Sequence, residues 1–246
     1  MKENIESKNI GNRKFIIELR FDSKGIILDK KGEIIDVIKS LDIFPKYHWE
    51  IGQSGIIIKD GTDENRAKNA IRITHNLISI MSYQIDTVAS FYDKFEKIYR
   101  KLRDILGNFD VLRIGCRIMG TYYTASTQYS MIVQNFKKNF PSNIFLDKYP
   151  AKDMLFNVVY ENGMYQIGPV SETDIFYARE FDVTDCKKHV GVAIDTDNYI
   201  LRNKNDINDM SLIKDIYRLS LSVEKDLYSN LKDFWKWIER TEIGKI

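Results

Sequence analysis

The chain has 246 residues, of which 43% are hydrophobic and 29% are charged, and its formal net charge at pH 7 is +2. This composition is typical of a globular protein, and the length suits one large domain or two small, closely packed ones. A charge so close to neutrality excludes the broad cationic field that by itself indicates nucleic-acid binding. The polar N-terminus and the lack of any apolar run of about 20 residues predict a cytoplasmic protein without a signal peptide or membrane span.

The first half of the chain predicts a tail, a strand, a helix, four strands and a long helix. Residues 1–12 are polar and are expected to form a flexible tail. Apolar and polar residues then alternate from Phe15 to Phe21, which is a strand pattern. A short helix is predicted at 33–41. Turn residues bound the predicted strands at 47–51, 55–59 and 70–85, the last of which is divided near 74–76 because it is too long for one strand.

The clearest pattern lies at the centre of the chain, where a helix is followed directly by a strand. Between residues 86 and 107, apolar residues recur at three- and four-residue intervals, which predicts an amphipathic helix. From residue 112 the period changes to two. One side of this strand is predicted to carry Leu112, Ile114, Cys116 and Ile118, and the other side Arg113, Gly115, Arg117 and Met119.

The second half repeats this order of elements with little residue identity. A helix is predicted at 127–140, strands at 156–160, 165–170, 175–181 and 190–200, and a closing helix at 206–238 with a kink near 220–222. The two halves are 13–107 and 108–246. We therefore predict an α+β fold in which two similar β-α-β(4)-α halves, packed as one compact unit, form a curved antiparallel sheet covered by long helices.

This order resembles the duplicated saddle of the TATA-box-binding-protein fold and, more loosely, helix-grip folds. The segment 113–118, Arg-Ile-Gly-Cys-Arg-Ile, follows a helix rich in Phe and Tyr. It is similar to the Arg-x-Gly-x-Arg strand of a sporadically distributed prokaryotic family of roughly this size with no established activity. Residues 47–49 and 195–197 extend the resemblance over most of the chain. The resemblance implies an accessory protein of mobile or anti-phage loci, and it implies no catalytic residues.

The arginines of the predicted central strands are the first candidates for binding. Arg113 and Arg117 share a strand face, and Arg20 lies on the equivalent strand of the first half. Their guanidinium groups could hold phosphate or carboxylate groups. Cross-strand Glu–Arg pairs on a solvated sheet would give the same pattern. The aromatic residues that could stack bases or anchor an interface, or could instead pack in the core, are Tyr122, Tyr123, Tyr129, Tyr160, Tyr165 and Trp237.

The sequence contains residue types that support catalysis, but few of them occur in the groups that a catalytic site requires. Asp195 and Asp197 could place two carboxylates at a strand end, as Mg²⁺ or Mn²⁺ coordination requires. The alternative is a strand-to-turn transition in which Asp197 and Asn198 cap local amides. Cys186 and His189 could form a nucleophile and its base, or could lie in an ordinary charged loop. The sequence has no CxxC spacing, so neither a disulfide scaffold nor a zinc site is predicted.

These observations favour a binding protein over an enzyme. We expect a non-catalytic protein that recognises a protein partner, as an accessory or sensor component of a prokaryotic anti-phage defence locus. The alternative is a nucleic-acid-binding protein that uses the sheet face, and a third hypothesis is a metal-dependent enzyme that uses Asp195 and Asp197. No cofactor and no membrane partner are expected, and the sequence leaves the oligomeric state open.

Overall fold

A computed structural model describes residues 10–60, 68–83, 88–123, 128–145, 148, 151–171, 190–202 and 209–243. The strands are β1 (Ile10–Phe21), β2 (Tyr47–Ile51), β3 (Gly55–Asp60), β4 (Asn69–Thr74), β5 (Leu77–Tyr83), β6 (Val111–Tyr123), β7 (Phe156–Tyr160), β8 (Gly163–Val170) and β9 (Gly191–Leu201). The helices are α1 (Ile26–Asp29), α2 (Lys31–Ser40), α3 (Val88–Leu106), α4 (Tyr129–Lys137), α5 (Asp209–Asn230) and α6 (Lys232–Ile243), with a 3₁₀ turn at Ser142–Ile144.

The described strands form one antiparallel sheet in the order β2-β3-β4-β5-β1-β6-β9-β8-β7. The first strand of each half, β1 and β6, pair with each other at its centre, with Ile17 opposite Cys116. Each half therefore extends outwards from this shared pair. The α+β fold predicted from the sequence is confirmed, and the division of the 70–85 segment into β4 and β5 is also confirmed.

The helices cover one face of this sheet. The Phe15 ring of β1 lies 6.0 Å from Phe91 of α3 and 6.1 Å from Tyr217 of α5, so these two helices lie over the same face. A first hydrophobic cluster joins α2, α3 and part of α5 to β1, β3, β4, β5 and β6. A second cluster joins α4, α6 and the end of β6 to β8 and β9, with Phe136 and Phe234 among its fully buried rings. The two clusters lie side by side under α5.

Two boundaries differ from the sequence predictions. β1 begins at Ile10, inside the predicted tail, and Ile10 is already paired with Tyr122 of β6. Leu112 was predicted to face the core but is exposed. The reason is a shift in register, because Arg20 pairs with Arg113 whereas Phe21 pairs with Val111. Val111 thus takes the buried position that the period of two assigned to Leu112.

The closing helix also differs from the prediction. The single predicted helix is divided at Leu231 into α5, Asp209–Asn230, and α6, Lys232–Ile243. α5 is continuous through 220–222, where a kink was predicted. The apolar pattern slips near 220–222 because Ser220 and Glu224, both polar, occupy the buried face of α5. The predicted strand at 175–181 lies outside the described residues. Among the described helices, none is long and apolar enough to cross a membrane.

Candidate functional site

The central strands direct charged side chains away from the helices. Successive side chains of a strand point to opposite faces, so the residues next to the core positions Ile17, Cys116 and Ile194 face the other side of the sheet. We call this side the second face. Seven charged residues of β1, β6 and β9 lie on this face, and one of them, Lys14, is fully buried. The other six form what we call the charge ladder: Glu18, Arg20, Arg113, Arg117, Asp195 and Asp197.

Arg113 contacts two carboxylates and an aromatic ring of the same face. Its Nη1 atom lies 3.3 Å from Oε1 of Glu18, and its Nη2 atom lies 3.8 Å from Oδ1 of Asp197. The guanidinium carbon lies 4.7 Å from the centroid of the Tyr199 ring. These contacts hold the guanidinium group by a carboxylate on each side and by an aromatic face.

Gly115 accommodates this arginine. A Cβ atom at Gly115 would lie 3.3 Å from Nη1 of Arg113, which is tighter than ordinary van der Waals contact. The guanidinium group therefore fills the space above the glycine. The space that a glycine leaves free for close approach is thus occupied by a side chain of the same chain.

Arg117 and Asp195 form a two-bond ion pair across β6 and β9. Arg117 donates from Nε to Oδ1 over 3.0 Å and from Nη2 to Oδ2 over 2.7 Å. Asp195 is buried, whereas 34% of the Arg117 side chain is exposed. Because both oxygens of Asp195 accept bonds from Arg117, a metal ion would have to displace the arginine. Within the described residues no group of three or more His, Cys, Asp or Glu side chains is placed to hold a metal ion.

The protonation of Asp197 is perturbed by its surroundings. Burial raises the pKa of Asp197 above its usual value, and Arg113 and Arg117 lower it in part. The burial effect is the larger one, because removing the carboxylate from water disfavours its charged form. The ladder therefore contains one carboxylate that is not fully compensated by its arginine neighbours.

Exposure increases along the strands towards Arg20. Lys14, Met119 and Asp195, which are neighbours in register, are all buried. At the other end of the ladder, Arg20 has 56% of its side chain exposed and donates from Nε to Glu18 over 2.7 Å. Arg20 is thus the most exposed residue of the charge ladder, whereas 22% of the Arg113 side chain is exposed.

The structure brings the predicted arginines together but places the predicted aromatic residues elsewhere. Tyr122 belongs to the same strand face as Cys116, so it points into the core, where it is fully buried and donates to Glu224. Of the two alternatives that the sequence left open for Tyr122, the structure shows core packing. Trp237 is partly buried against the second hydrophobic cluster. The side chain of Tyr123 lies outside the described residues, as do Cys186 and His189.

The sequence analysis missed a buried polar group between the two hydrophobic clusters. We call it the polar seam and define it by Arg13, Tyr122, Asn198, Ser220 and Glu224. Arg13 donates from Nε to Oε1 of Glu224 over 3.0 Å, and a second bond joins Nη2 to Oε2. Burial, followed by the nearby carboxylate of Glu224, raises the pKa of Tyr122 well above its usual value, which keeps the hydroxyl protonated as a donor.

The second part of the polar seam lies one helical turn away. Ser220 donates to the carbonyl oxygen of Cys116 over 3.1 Å and accepts a bond from Nδ2 of Asn198 over 3.0 Å. Ser220 and Glu224 are four residues apart, so they lie on the same side of α5. The only signal of this group in the sequence was the slip in the apolar pattern of the closing helix.

Comparison with known proteins gives no match to a family model and no match to a curated protein. The functional argument therefore rests on the geometry of the second face.

Proposed function

We propose that this protein is a non-catalytic binding protein that recognises a protein partner through the charge ladder. The observation that carries the proposal is the Arg113 guanidinium group, which is fixed by Glu18, Asp197 and Tyr199 on the sheet face opposite the helices. Arginines held in this way lose little side-chain entropy when a partner binds. Arginine is also among the residues that contribute most to the affinity of protein interfaces.

A role in binding explains the charge ladder better than a role in stabilising the fold. Ion pairs that are exposed to solvent contribute about 0–1 kcal/mol each to the free energy of unfolding. Arg20 and Glu18, with 56% and 24% of their side chains exposed, belong to this class. The accessible end of the ladder therefore adds little to folding, whereas its alternating charges can match the mixed charges of a protein surface.

The charge balance favours a protein over a nucleic acid as the partner. The ladder contains three arginines and three carboxylates, so its formal net charge is zero. Nucleic-acid affinity comes largely from cations that replace counterions along the phosphate backbone. In the ladder the carboxylates of Glu18, Asp195 and Asp197 already neutralise the arginines. The nucleic-acid alternative therefore has a weaker physical basis than it had from the sequence alone.

The role as an accessory or sensor component of a prokaryotic anti-phage defence locus is the second part of the proposal. It is supported by the resemblance carried by residues 113–118, and the charge ladder contains both arginines of that segment. A sensor of this kind would transmit the presence of its partner through binding alone, and no substrate would be turned over.

The proposal is tested by identifying what co-purifies with the tagged chain from a host that carries its native gene neighbourhood. Nuclease treatment and moderate salt remove contacts that depend on nucleic acid. We expect one protein in a fixed ratio to the chain, identified by mass spectrometry. Recovery of the chain without a protein partner, together with binding to DNA or RNA that falls steeply with salt, would replace the proposal with the nucleic-acid alternative.

A matched pair of variants then locates the binding surface. Arg20→Glu reverses an exposed charge of the ladder, and Arg100→Glu reverses an exposed charge on α3, on the helical side of the protein. Each arginine is bonded to one glutamate of its own element, Glu18 or Glu96. We expect Arg20→Glu to weaken partner binding at least about tenfold and Arg100→Glu to leave it unchanged. Equal effects of the two variants would contradict a role for the ladder.

A further inference from the structure

Among the described strands, the sheet ends at β7, and this edge strand carries no charged side chain. The segment 154–160, Met-Leu-Phe-Asn-Val-Val-Tyr, has no charged residue, although 29% of the whole chain is charged. Within it Leu155 and Val159 are 63% and 73% exposed. Exposed edge strands are normally protected by charges, proline or a covering element, because their free backbone groups can pair with another strand.

The backbone of β7 presents hydrogen-bonding groups to solvent. β7 and β8 form a hairpin whose two-residue loop is closed by the pair Tyr160 and Gly163. In such a hairpin the closing pair is hydrogen-bonded, and the following pairs alternate. Asn157 and Val159 therefore direct their amide and carbonyl groups away from β8, towards the outer side of the edge. Both side chains are exposed.

The opposite edge of the sheet is better protected. β2 includes Glu50, which accepts a bond from Lys59 over 3.1 Å. Lys31 of α2 donates to the carbonyl oxygen of Gly52 over 2.8 Å, and Lys39 lies 4.7 Å from the centroid of the Trp49 ring. The two edges therefore differ in charge, and β7 is the edge suited to pairing with another strand.

We infer that two copies of this chain pair through β7, antiparallel, so that the two sheets become one continuous sheet. In this register Asn157 of each copy lies opposite Val159 of the other, and Val158 lies opposite itself. This alignment lets the two outward-facing residues of each strand exchange backbone hydrogen bonds. It also requires a twofold axis through Val158, which is the symmetry of most homodimers.

The chemistry of the segment favours a second copy as the occupant of this edge. Antiparallel pairing in this register places Phe156 of one copy opposite Tyr160 of the other, which is a favourable aromatic pair across strands. These two side chains are already held in place, because Phe156 stacks on Phe140 at 3.8 Å and Tyr160 donates to Asn198. No like charges oppose each other between residues 156 and 160. The strand is therefore complementary to itself.

The first test measures the molar mass of the full chain in solution by light scattering or sedimentation. At about 100 µM, a dissociation constant in the micromolar range gives mostly dimer. We expect twice the mass of one chain, and the mass should persist in high salt because the edge has no ion pairs. Val159→Lys is expected to give a monomer. The control is Ile51→Lys on β2, at the other edge, where 58% of Ile51 is exposed compared with 73% of Val159. This variant should remain dimeric.

The second test reports the register directly and does not depend on Val159→Lys folding. Cysteines at opposed positions of a strand pair that lacks hydrogen bonds lie close enough for a disulfide. Val158→Cys should therefore form a covalent dimer under mild oxidation, detected on a non-reducing gel, and the unsubstituted chain should not. A monomer at about 100 µM, a Val159→Lys variant that remains dimeric, or a dimer that Val158→Cys fails to cross-link would each overturn the inference.

Discussion

Arg13 and Glu224 lie 211 positions apart in the sequence and form a two-bond ion pair inside the protein. Glu224 is fully buried, and only 7% of the Arg13 side chain is exposed. The pair connects the central strand β1 to α5 at the boundary between the two hydrophobic clusters. It thereby fixes the position of the helix that is shared by the two halves of the fold.

Removal of one partner of this pair should destabilise the protein strongly. Glu224→Leu leaves the buried Arg13 cation without its carboxylate, and we expect the free energy of unfolding to fall by about 3–5 kcal/mol. Arg13→Met combined with Glu224→Leu should recover a large part of this loss, because neither charge remains. Denaturation in urea measures both values. Glu96→Gln, in the exposed pair on α3, serves as the control and should cost less than about 1 kcal/mol. Additive effects of the two seam substitutions would show that the pair is not coupled.

Two glycines should respond in opposite ways to replacement by alanine. At Gly55 a Cβ atom would lie 2.1 Å from the carbonyl oxygen of Ile73 and 2.8 Å from Cα of Thr74, so the backbone of β4 would have to move. We expect Gly55→Ala to lower the free energy of unfolding by about 1–3 kcal/mol. At Gly32, within α2, a Cβ atom would meet nothing within 4 Å. Gly32→Ala should raise stability by about 0.5–1 kcal/mol, because alanine favours the helix. Thermal unfolding of both variants checks the signs.

Asp197 should make the protein less stable as the pH rises through its acidic range. Its pKa in the folded state is raised above the ordinary value of 3.8, mainly by burial. Between the unfolded and the folded pKa, the folded state binds more protons than the unfolded state, so this group's contribution to stability decreases with increasing pH. Asp197→Asn removes that contribution. We expect the free energy of unfolding of Asp197→Asn to rise more between pH 4 and neutrality than that of the unsubstituted chain, and parallel pH profiles would contradict the assignment.

The architecture was predictable from the sequence because its strands and helices have clear periods. The alternation from 112 to 119 and the three- and four-residue spacing of α3 each depend on one buried face, and burial is what the pattern records. Leu112 was misplaced because a shift in register depends on how β1 pairs with β6, which no local pattern contains. The slip in the apolar pattern near 220–222 could not be interpreted from the sequence for a similar reason. Ser220 and Glu224 are buried against partners that are distant in the sequence.

The candidate site could be predicted only in part. The strand period placed Arg113 and Arg117 on one face, and the two residues do lie together on the second face of the sheet. The sequence did not predict that Asp195 and Asp197 are the partners of these arginines. The pairing of β6 with β9 brings them together, and these two strands are far apart in the sequence. The two aspartates had been considered as metal ligands, whereas in the structure they are the counter-ions of the arginines. Core packing of Tyr122 follows from its phase in β6, because Tyr122 lies an even number of residues from the buried Cys116.

The position of β1 at the centre of the sheet has a consequence for synthesis on the ribosome. β1 is made before the other described strands, yet its neighbour β6 and the helix that receives Arg13 come roughly a hundred and two hundred residues later. Contacts between such distant residues slow folding, because a long stretch of chain must be closed before they form. Until then the apolar face of β1 has only the strands and helices of its own half for cover. A nascent chain of this protein should therefore engage chaperones until α5 is available to complete the fold.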